Sequence, residues 1–286
     1  MYGHPFTGEV HPLRTTWNIE TDGLHSSVPV HDDAIFWNTE TQRWEKVETG
    51  STAISKVTFD LNFSQWHNGQ EMDMNDVLYS IYFLSEWGSE KMINDKTYDS
   101  SFSPQAAQNA NSLVGFRVVD ANTIEVYTDY WHFDQGQIAS WAGIWSTTPW
   151  EIMAAMEKSV IDGKVAFSRS DAANKNISWL SLIIPQDAKI IQEILEDYKV
   201  SNNIPSALNQ FETDIQYYEN RYQQSIDWID ENDHAIISNG PFYLDRYSPE
   251  SRIIVVKSFD FGDYPFSPGK WNEFELIEFP KIVSIE

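Results

Sequence analysis

The sequence predicts a mixed α/β fold, because strand-like and helix-like hydrophobic patterns alternate along the chain. Val57, Phe59 and Leu61 alternate with polar residues, which is the period of a half-buried strand. The apolar residues of 186–199 recur at helical spacing instead. Two β-rich runs within 116–127 flank an Asp-Ala-Asn turn and predict a hairpin. These patterns together indicate a sheet with packed helices.

The remaining elements follow from the same patterns and from turn residues. A helix is expected to begin at Pro149, since the missing N–H of proline costs least in the first helical turn. In chain order we expect a short strand or helix at 32–37, a strand at 54–63, a helix at 74–88, a long loop with a short helix at 89–110, the hairpin, the helix beginning at Pro149, helices at 186–199 and 206–231, two hairpin strands and a final strand at 274–285.

Composition excludes several functional classes. The 286 residues carry 43 acids against 19 bases, a net charge of -24, which argues against nucleic-acid binding because phosphates require a basic surface. The chain has no cysteine, so it forms no disulfide or iron–sulfur site. No apolar run reaches the length of a membrane span, and no export signal begins the sequence.

The segment Trp66–Ser80 predicts a tight turn followed by a capped helix. Asn68 and Gly69 tolerate a positive φ, as a tight turn requires. Asp73 stands where an N-cap is expected, and Asp76 follows three residues later, as in a capping box. Apolar residues then recur on one helical face, so the helix should begin directly after Asp73.

A second segment, Ser238–Leu244, contains a Gly-Pro pair followed by strand-like residues. Gly240 precedes Pro241 and opens the strand. We therefore expect Gly240 to occupy a backbone conformation or packing site that a side chain disfavours. A turn at 248–250 and a further strand at 252–257 follow.

Both segments resemble the family 5 extracellular solute-binding proteins of ABC transporters, which bind oligopeptides, dipeptides or nickel. In that family a strand runs into His-Asp-Gly, then a helix cap, Asp-Val and Tyr-Ser. Here His67 stands at the histidine position, Asn68 replaces the aspartate and Asp73 replaces the usual cap threonine. Ser238–Leu244 is similar to the family's Gly-x-Gly-Pro-Tyr-x-Leu strand, and 259–265 resembles its Asn-Pro-x-Tyr-Trp element.

The resemblance implies a periplasmic-binding-protein-like fold of type II. It implies that residues 1–133 form a satellite domain, mainly of antiparallel sheet, and that 134–286 form part of ligand-binding lobe one around a central mixed sheet. Residues 278–282 resemble the strand that crosses to the second lobe. We therefore expect the second lobe to be absent and this chain alone to bind solute weakly or not at all.

An aromatic segment, Trp141–Trp150, is the strongest candidate for a ligand site. It places three tryptophans beside hydroxyl groups, and small-molecule clefts combine apolar faces with a few polar groups. The resemblance places this segment near the floor of the cleft. The candidate ligand-binding residues are Trp87, Trp141, Trp145, Ser146, Thr147 and Trp150. The alternative is that these tryptophans fill the core.

The sequence contains little evidence for a catalytic or metal-binding site. The chain has no Gly-x-Ser-x-Gly, no phosphate-binding glycine loop and no His-Glu-x-x-His. His132 and Asp134 could lend two metal ligands, but no full set with known spacing occurs. His67 is expected to be structural and to fix the turn before the helix. We expect neither an enzyme nor a bound cofactor.

Three functional classes stay open at this point. The resemblance implies the substrate-binding component of an ABC importer, which closes two lobes over a peptide or similar small solute and delivers it to a membrane permease. Such a protein works outside the membrane, extracellular or periplasmic, and is tethered to the cell surface in its full-length form. The alternatives are a hydrolase or carbohydrate-processing domain, which the aromatic and acidic residues would suit, and a surface-layer structural protein, which the acidity would suit.

Overall fold

A computed structural model describes residues 2–3, 10–11, 14–89 and 95–259 of the 286-residue chain. It confirms a mixed α/β architecture with a multi-stranded antiparallel sheet. The expected strand at 274–285, the crossing strand at 278–282 and most of the element at 259–265 lie outside these residues.

The strands of the described residues form one large sheet and four two-stranded pairs. They are β1 (Tyr2–Gly3), β2 (Val10–His11), β3 (Thr15–Glu20), β4 (Val28–Pro29), β5 (Ile35–Asn38), β6 (Arg43–Lys46), β7 (Thr52–Ala53), β8 (Ser55–Leu61), β9 (Leu113–Val118), β10 (Thr123–Thr128), β11 (Val165–Ala166), β12 (Ser178–Trp179), β13 (Phe242–Ser248) and β14 (Ile253–Ser258).

The helices alternate with these strands in the middle of the chain. They are α1 (Met74–Trp87), α2 (Ser103–Ser112), α3 (Gln135–Ala142), α4 (Trp150–Ile161), α5 (Arg169–Lys175), α6 (Pro185–Val200) and α7 (Ile215–Asn232). Pro149 directly precedes α4, so the predicted start of that helix is confirmed. The predicted hairpin is also confirmed, as β9 and β10 pair antiparallel with Ile124 opposite Val118.

The large sheet has the strand order β3-β8-β10-β9-β5-β6, and every neighbouring pair is antiparallel. On β8, Val57, Phe59 and Leu61 are buried while the residues between them are not, so the predicted alternation is confirmed. Helix α3 contacts β3, β8 and β10, and α1 contacts β5. The sheet therefore buries its apolar face beneath helices.

The main apolar core extends from this sheet into the helical part of the chain. Phe59 and Phe116 of the sheet belong to the same buried cluster as Trp150 of α4 and Tyr222 of α7. Helix α4 contacts α1, α6 and α7. Residues on both sides of the boundary predicted near 133 thus contribute to one core, and α4 packs against three other helices within it.

Two expectations about these elements need correction. The long helix predicted over 206–231 begins only at Ile215, because Asp214 caps it by accepting a hydrogen bond from the Gln216 amide and the preceding residues form turns. The described residues after 133 contain the parallel pair β11–β12 and the antiparallel hairpin β13–β14, and these residues form no central mixed sheet. The large sheet lies entirely before residue 134.

Candidate functional site

The two segments singled out in the sequence meet in the fold, although about 170 residues separate them along the chain. The His67 amide donates to the Ser238 carbonyl at 2.8 Å. The Ser238 amide donates to His67 Nδ1 at 3.3 Å, and His67 Nε2 lies 3.0 Å from the Gly240 carbonyl oxygen. His67 therefore joins the turn before α1 to the segment before β13.

These contacts fix the state of the imidazole. A carbonyl oxygen can only accept, so Nε2 carries the proton, and Nδ1 accepts from the Ser238 amide. His67 is 6% exposed and packs against the ring of Phe259 at 4.8 Å between centroids. Burial lowers the pKa of His67, the hydrogen bond to Gly240 opposes this shift, and the charge of Arg14 adds to it. The neutral imidazole fits the predicted structural role.

The start of α1 is capped as predicted. Gly69 has a φ of +84°, and its amide donates to the Trp66 carbonyl at 2.9 Å, which closes the tight turn. Asp73 accepts a hydrogen bond from the Asn75 amide at 2.9 Å, while its own amide donates to Asp76 Oδ2 at 3.1 Å. The capping box is therefore complete, with two carboxylates at one helix N-terminus.

Helix α1 also holds the aromatic segment in place. Asp76 Oδ1 accepts a hydrogen bond from the Trp150 amide at 3.1 Å. One helical turn further along α1, Ser80 Oγ accepts a hydrogen bond from the Ser146 amide at 3.0 Å. Both acceptors belong to the Asp-Val and Tyr-Ser part of the first motif. The three segments chosen from the sequence thus meet at α1 and the turn that precedes it: Ser238–Leu244 contacts His67 of the turn, and the aromatic segment contacts Asp76 and Ser80 of the helix.

An arginine and a glutamate that the sequence analysis did not select complete this site. Arg221 of α7 is 5% exposed and donates from Nη2 to Asp76 Oδ1 at 2.7 Å and to Glu151 Oε2 at 2.8 Å. Its Nε donates to the same Glu151 oxygen at 3.0 Å, and Nη1 donates to the Glu71 carbonyl at 3.1 Å. Glu151 also accepts from Ser225 at 2.8 Å. Every charged group in the cluster is hydrogen-bonded.

The sequence held one signal for Arg221. It is a lone base within the buried stripe of α7, between Tyr218 and Tyr222. A charge in such a stripe is rarely buried without a partner, so it predicts a buried acid on a neighbouring helix. Glu151 gave no comparable signal, because an acid in the first turn of a helix is ordinary.

The cluster contains more acid than base, and the pKa directions reflect this. Burial raises the pKa of Glu151, against the opposing charge of Arg221. Burial and the neighbouring Asp76 likewise raise the pKa of Asp73. Burial alone would lower the pKa of Arg221, but Asp76 and Glu151 raise it well above its ordinary value. The guanidinium therefore stays charged and is the fixed cation of the cluster.

The six candidate ligand residues do not share one cavity. Trp87 and Trp150 are fully buried, and their ring nitrogens donate to Glu157 at 3.0 Å and to Tyr217 at 3.1 Å. Neither presents a face to a ligand in this conformation, so both serve the core, which was the alternative reading. Trp141 stacks on Tyr130 at 4.5 Å between centroids, and Thr147 is exposed.

Trp145 and Ser146 do line a common cavity. It has a volume of about 50 Å³ and is bounded by apolar and polar side chains of both motif regions. Its lining residues are Arg14, Leu61, Asn62, Phe63, Met72, Asp76, Val77, Trp145, Ser146 and Asn239. Arg14 donates to Ser64 Oγ at 2.6 Å and to the Asn239 carbonyl. Small-molecule pockets usually exceed about 300 Å³, so this cavity is too small to enclose a whole ligand of that kind.

The expectation for Gly240 is wrong. Its φ is not positive, and an added Cβ would meet only the Phe242 carbonyl oxygen at 3.8 Å, an ordinary contact. Gly240 contributes its carbonyl to His67, which any residue could supply. Pro241 similarly contributes its carbonyl, which accepts from the Phe259 amide at 2.9 Å.

Among the described residues, no group of three or more His, Asp or Glu is placed to hold a metal ion. In the same part of the chain no helix combines the length and the apolar character needed to cross a membrane. No protein-family model matches the chain, and no curated protein matches it.

Proposed function

We propose that this chain is part of the substrate-binding component of an ABC importer, which captures a peptide or similar small solute without making or breaking a bond. In this proposal the fold is periplasmic-binding-protein-like and of type II, 1–133 form the satellite domain and 134–286 form part of lobe one. The protein works outside the membrane, tethered to the cell surface in its full-length form, and delivers the solute to a membrane permease.

The observation that carries the proposal is the meeting of these segments at α1 and the turn that precedes it. The two segments that resemble the receptors contact each other through His67. The aromatic segment, chosen as a ligand site, is held by Asp76 and Ser80 of the first motif. These contacts support the proposal, because the segments that carry the resemblance lie together in the fold.

In this proposal, the part of the binding surface that this chain contributes is the surface around Trp145 and Ser146. Phe59 contacts the Trp145 ring edge-to-face at 4.8 Å, which fixes the indole from behind. A cavity of about 50 Å³ is too small to enclose a peptide. A receptor that closes two lobes needs only one wall from each, so the same reasoning predicts weak binding by one lobe alone.

Native mass spectrometry of the protein purified from its source cells tests the proposal. A small solute that co-purifies in stoichiometric amount, and that is returned unaltered, supports a receptor. Turnover of a bound oligosaccharide or peptide would support the hydrolase alternative. Assembly into regular two-dimensional arrays with no bound solute would support the surface-layer alternative.

Site-directed variants locate the binding surface. We expect Trp145→Phe and Ser146→Ala to weaken binding of the co-purified solute, with at least about a fivefold loss for the tryptophan, since a central aromatic contact typically contributes more than 1 kcal/mol. Trp179→Phe is the matched control, because Trp179 is 43% exposed and lies outside the cavity around Trp145. Equal affinity in all three variants would place the ligand elsewhere.

A further inference from the structure

Two Asn-x-Ser triplets occur in the sequence, Asn-Phe-Ser at 62–64 and Asn-Ile-Ser at 176–178. A triplet of this kind, with any residue except proline in the middle, is the acceptor sequence for N-linked glycosylation. The glycan is bulky and belongs on the protein surface, so an acceptor triplet needs an accessible asparagine amide and an accessible hydroxyl. The fold gives the two triplets very different surroundings.

Asn176 lies on the surface, where α5 ends and the chain leads into β12. It is the C-cap residue of α5 and has a φ of +54°, so the chain turns sharply there. The residue is exposed, and its side-chain amide forms no hydrogen bond with any of the described residues. The acceptor nitrogen is therefore free to react with a donor that approaches from solvent.

The hydroxyl of this triplet is accessible as well. Ser178 is an exposed residue of β12, and its backbone pairs with Val165 of β11. The Ser178 hydroxyl has no hydrogen-bonding partner in the described part of the chain. Within the same residues β12 pairs with β11 alone, so its other edge faces no neighbouring strand. An enzyme can thus reach the asparagine and the hydroxyl together.

The triplet at 62–64 is not accessible in this way. Asn62 is exposed, but Ser64 is 6% exposed and its hydroxyl accepts a hydrogen bond from Arg14 Nη1 at 2.6 Å. The backbone is also engaged, since the Ser64 carbonyl accepts from the Met72 amide at 2.8 Å. Asn62 lines the cavity around Trp145, so a glycan there would obstruct the proposed binding surface.

A purely structural role accounts for only half of the triplet at 176–178. Asparagine adopts the left-handed conformation more readily than most residues and often ends a helix, which suits the C-cap position of Asn176. Such a cap makes no demand on the residue two positions later. The exposed hydroxyl of Ser178, which has no partner among the described residues, is the feature that the acceptor role adds.

We propose that Asn176 is an N-glycosylation site and that Asn62 is not. The proposal rests on the part of the proposed function that places the protein outside the membrane. In the transfer, Asn176 Nδ2 bonds to C1 of the first sugar of a lipid phosphate-linked oligosaccharide, and the bond from that C1 to the phosphate oxygen breaks. The lipid phosphate leaves with the bonding electrons, and the amide loses one proton. Asn176 does not line the cavity around Trp145, so the glycan leaves that surface open.

Tandem mass spectrometry of peptides from the protein purified from its source cells tests the proposal. We expect the mass of an oligosaccharide on Asn176 and the unmodified mass on Asn62. An Asn176 that carries no sugar would overturn the proposal. Sugar on Asn62 at equal or greater occupancy would also contradict it, because accessibility in the fold would then not select the site.

Variants made in the same cells separate the acceptor role from the capping role. Asn176→Asp replaces the acceptor nitrogen by oxygen, and aspartate also tolerates the left-handed conformation, so the fold should be retained. Ser178→Ala removes the hydroxyl and leaves Asn176 in place. Both variants should lose the sugar, whereas Ser178→Thr restores a hydroxyl and should keep it. Asn62→Gln is the matched control and should keep the sugar too. Circular dichroism checks that each variant folds, and sugar retained by Ser178→Ala would contradict the assignment.

The outcomes separate this inference from the proposed function. A solute that co-purifies with a protein whose Asn176 is unmodified would overturn the glycosylation site and leave the receptor proposal standing. Sugar covalently bound to Asn176, in a protein that carries no solute from its source cells, would support the site and contradict the receptor proposal. The surface-layer alternative would then be favoured, since it also places the protein outside the membrane.

Discussion

The two motif segments, Trp66–Ser80 and Ser238–Leu244, meet at a junction formed by His67, Ser238 and Gly240. They contribute to this junction by different means. Trp66–Ser80 acts through side chains, since His67, Asp73 and Asp76 each form hydrogen bonds with their imidazole or carboxylate groups. Ser238–Leu244 acts through its backbone, which supplies the amide of Ser238 and the carbonyl of Gly240. At the contact with His67, the first segment therefore depends on residue identity, whereas Ser238 and Gly240 depend on the path of the chain.

This difference predicts how the two segments respond to substitution. A side chain that satisfies buried partners leaves them unpaired when it is replaced, and each unpaired group costs free energy. A backbone group survives replacement of its side chain. Replacement of His67, Asp73 or the buried partners of Asp76 should therefore lower the free energy of unfolding, and a side chain added at Gly240 should not.

The largest effect is expected for Arg221→Met. Removal of the guanidinium leaves Asp76 and Glu151, which are 5% and 0% exposed, without their buried cation. Loss of one partner of a buried ion pair costs about 3–5 kcal/mol. Urea denaturation followed by circular dichroism measures the loss.

Arg246→Met is the control, since Arg246 is exposed on β13. The free energy of unfolding of this variant should differ from that of the parent by less than about 0.5 kcal/mol. Similar values for the two variants would show that the cluster is not important for stability.

The next effect is expected at the junction itself, for His67→Leu. The leucine leaves the Ser238 amide and the Gly240 carbonyl without their partner, at a cost of about 1–3 kcal/mol. His25→Leu is the control, because His25 is exposed. A loss no greater than that of the control would mean that backbone contacts alone hold the two segments together.

His67 also gives the junction a pH dependence of known sign. Burial lowers the pKa of His67 below its ordinary value of 6.5, so the unfolded chain binds the proton more readily than the folded one. This contribution to stability is complete above pH 6.5 and is lost as the pH falls below that value. In His67→Gln the loss on acidification should be smaller than in the parent, as measured by unfolding at several pH values between 7.5 and 5. Parallel pH profiles would contradict the assignment.

A smaller effect is expected for Asp73→Ala, because the cap lies at the edge of the cluster. Loss of an N-cap side chain costs about 0.5–2 kcal/mol, and Asp73→Asn should recover most of it. Thermal unfolding of the two variants side by side measures the difference. Equal stability of the alanine and asparagine variants would show that the hydrogen bond to the Asn75 amide contributes little.

Features that depend on nearby residues in the sequence were predicted correctly, whereas features that depend on distant residues were missed. The cap at Asp73 and the turn at Gly69 depend on neighbours within a few residues, and both were predicted. Arg221 and Glu151 were missed because their partners lie 70 residues or more away. Trp87 and Trp150 were assigned to a ligand site because a tryptophan has the same pattern in sequence whether it lines a cleft or fills a core.

The smallest effect, expected for Gly240→Ala, gives the sharpest test of the backbone role. Its Cβ would meet only ordinary contact, its φ is not positive, and its carbonyl would still accept from His67. The alanine also restricts the unfolded chain, so the free energy of unfolding should stay within about 0.5 kcal/mol of the parent or rise slightly.

Gly69→Ala is the matched comparison in the first segment. Its φ of +84° is strained for any L side chain, so a loss of about 1 kcal/mol or more is expected. Chemical denaturation of both variants should therefore give a clear ranking. If Gly240→Ala were destabilised as much as Gly69→Ala, the second segment would depend on residue identity after all, and the contrast between the two segments would not hold.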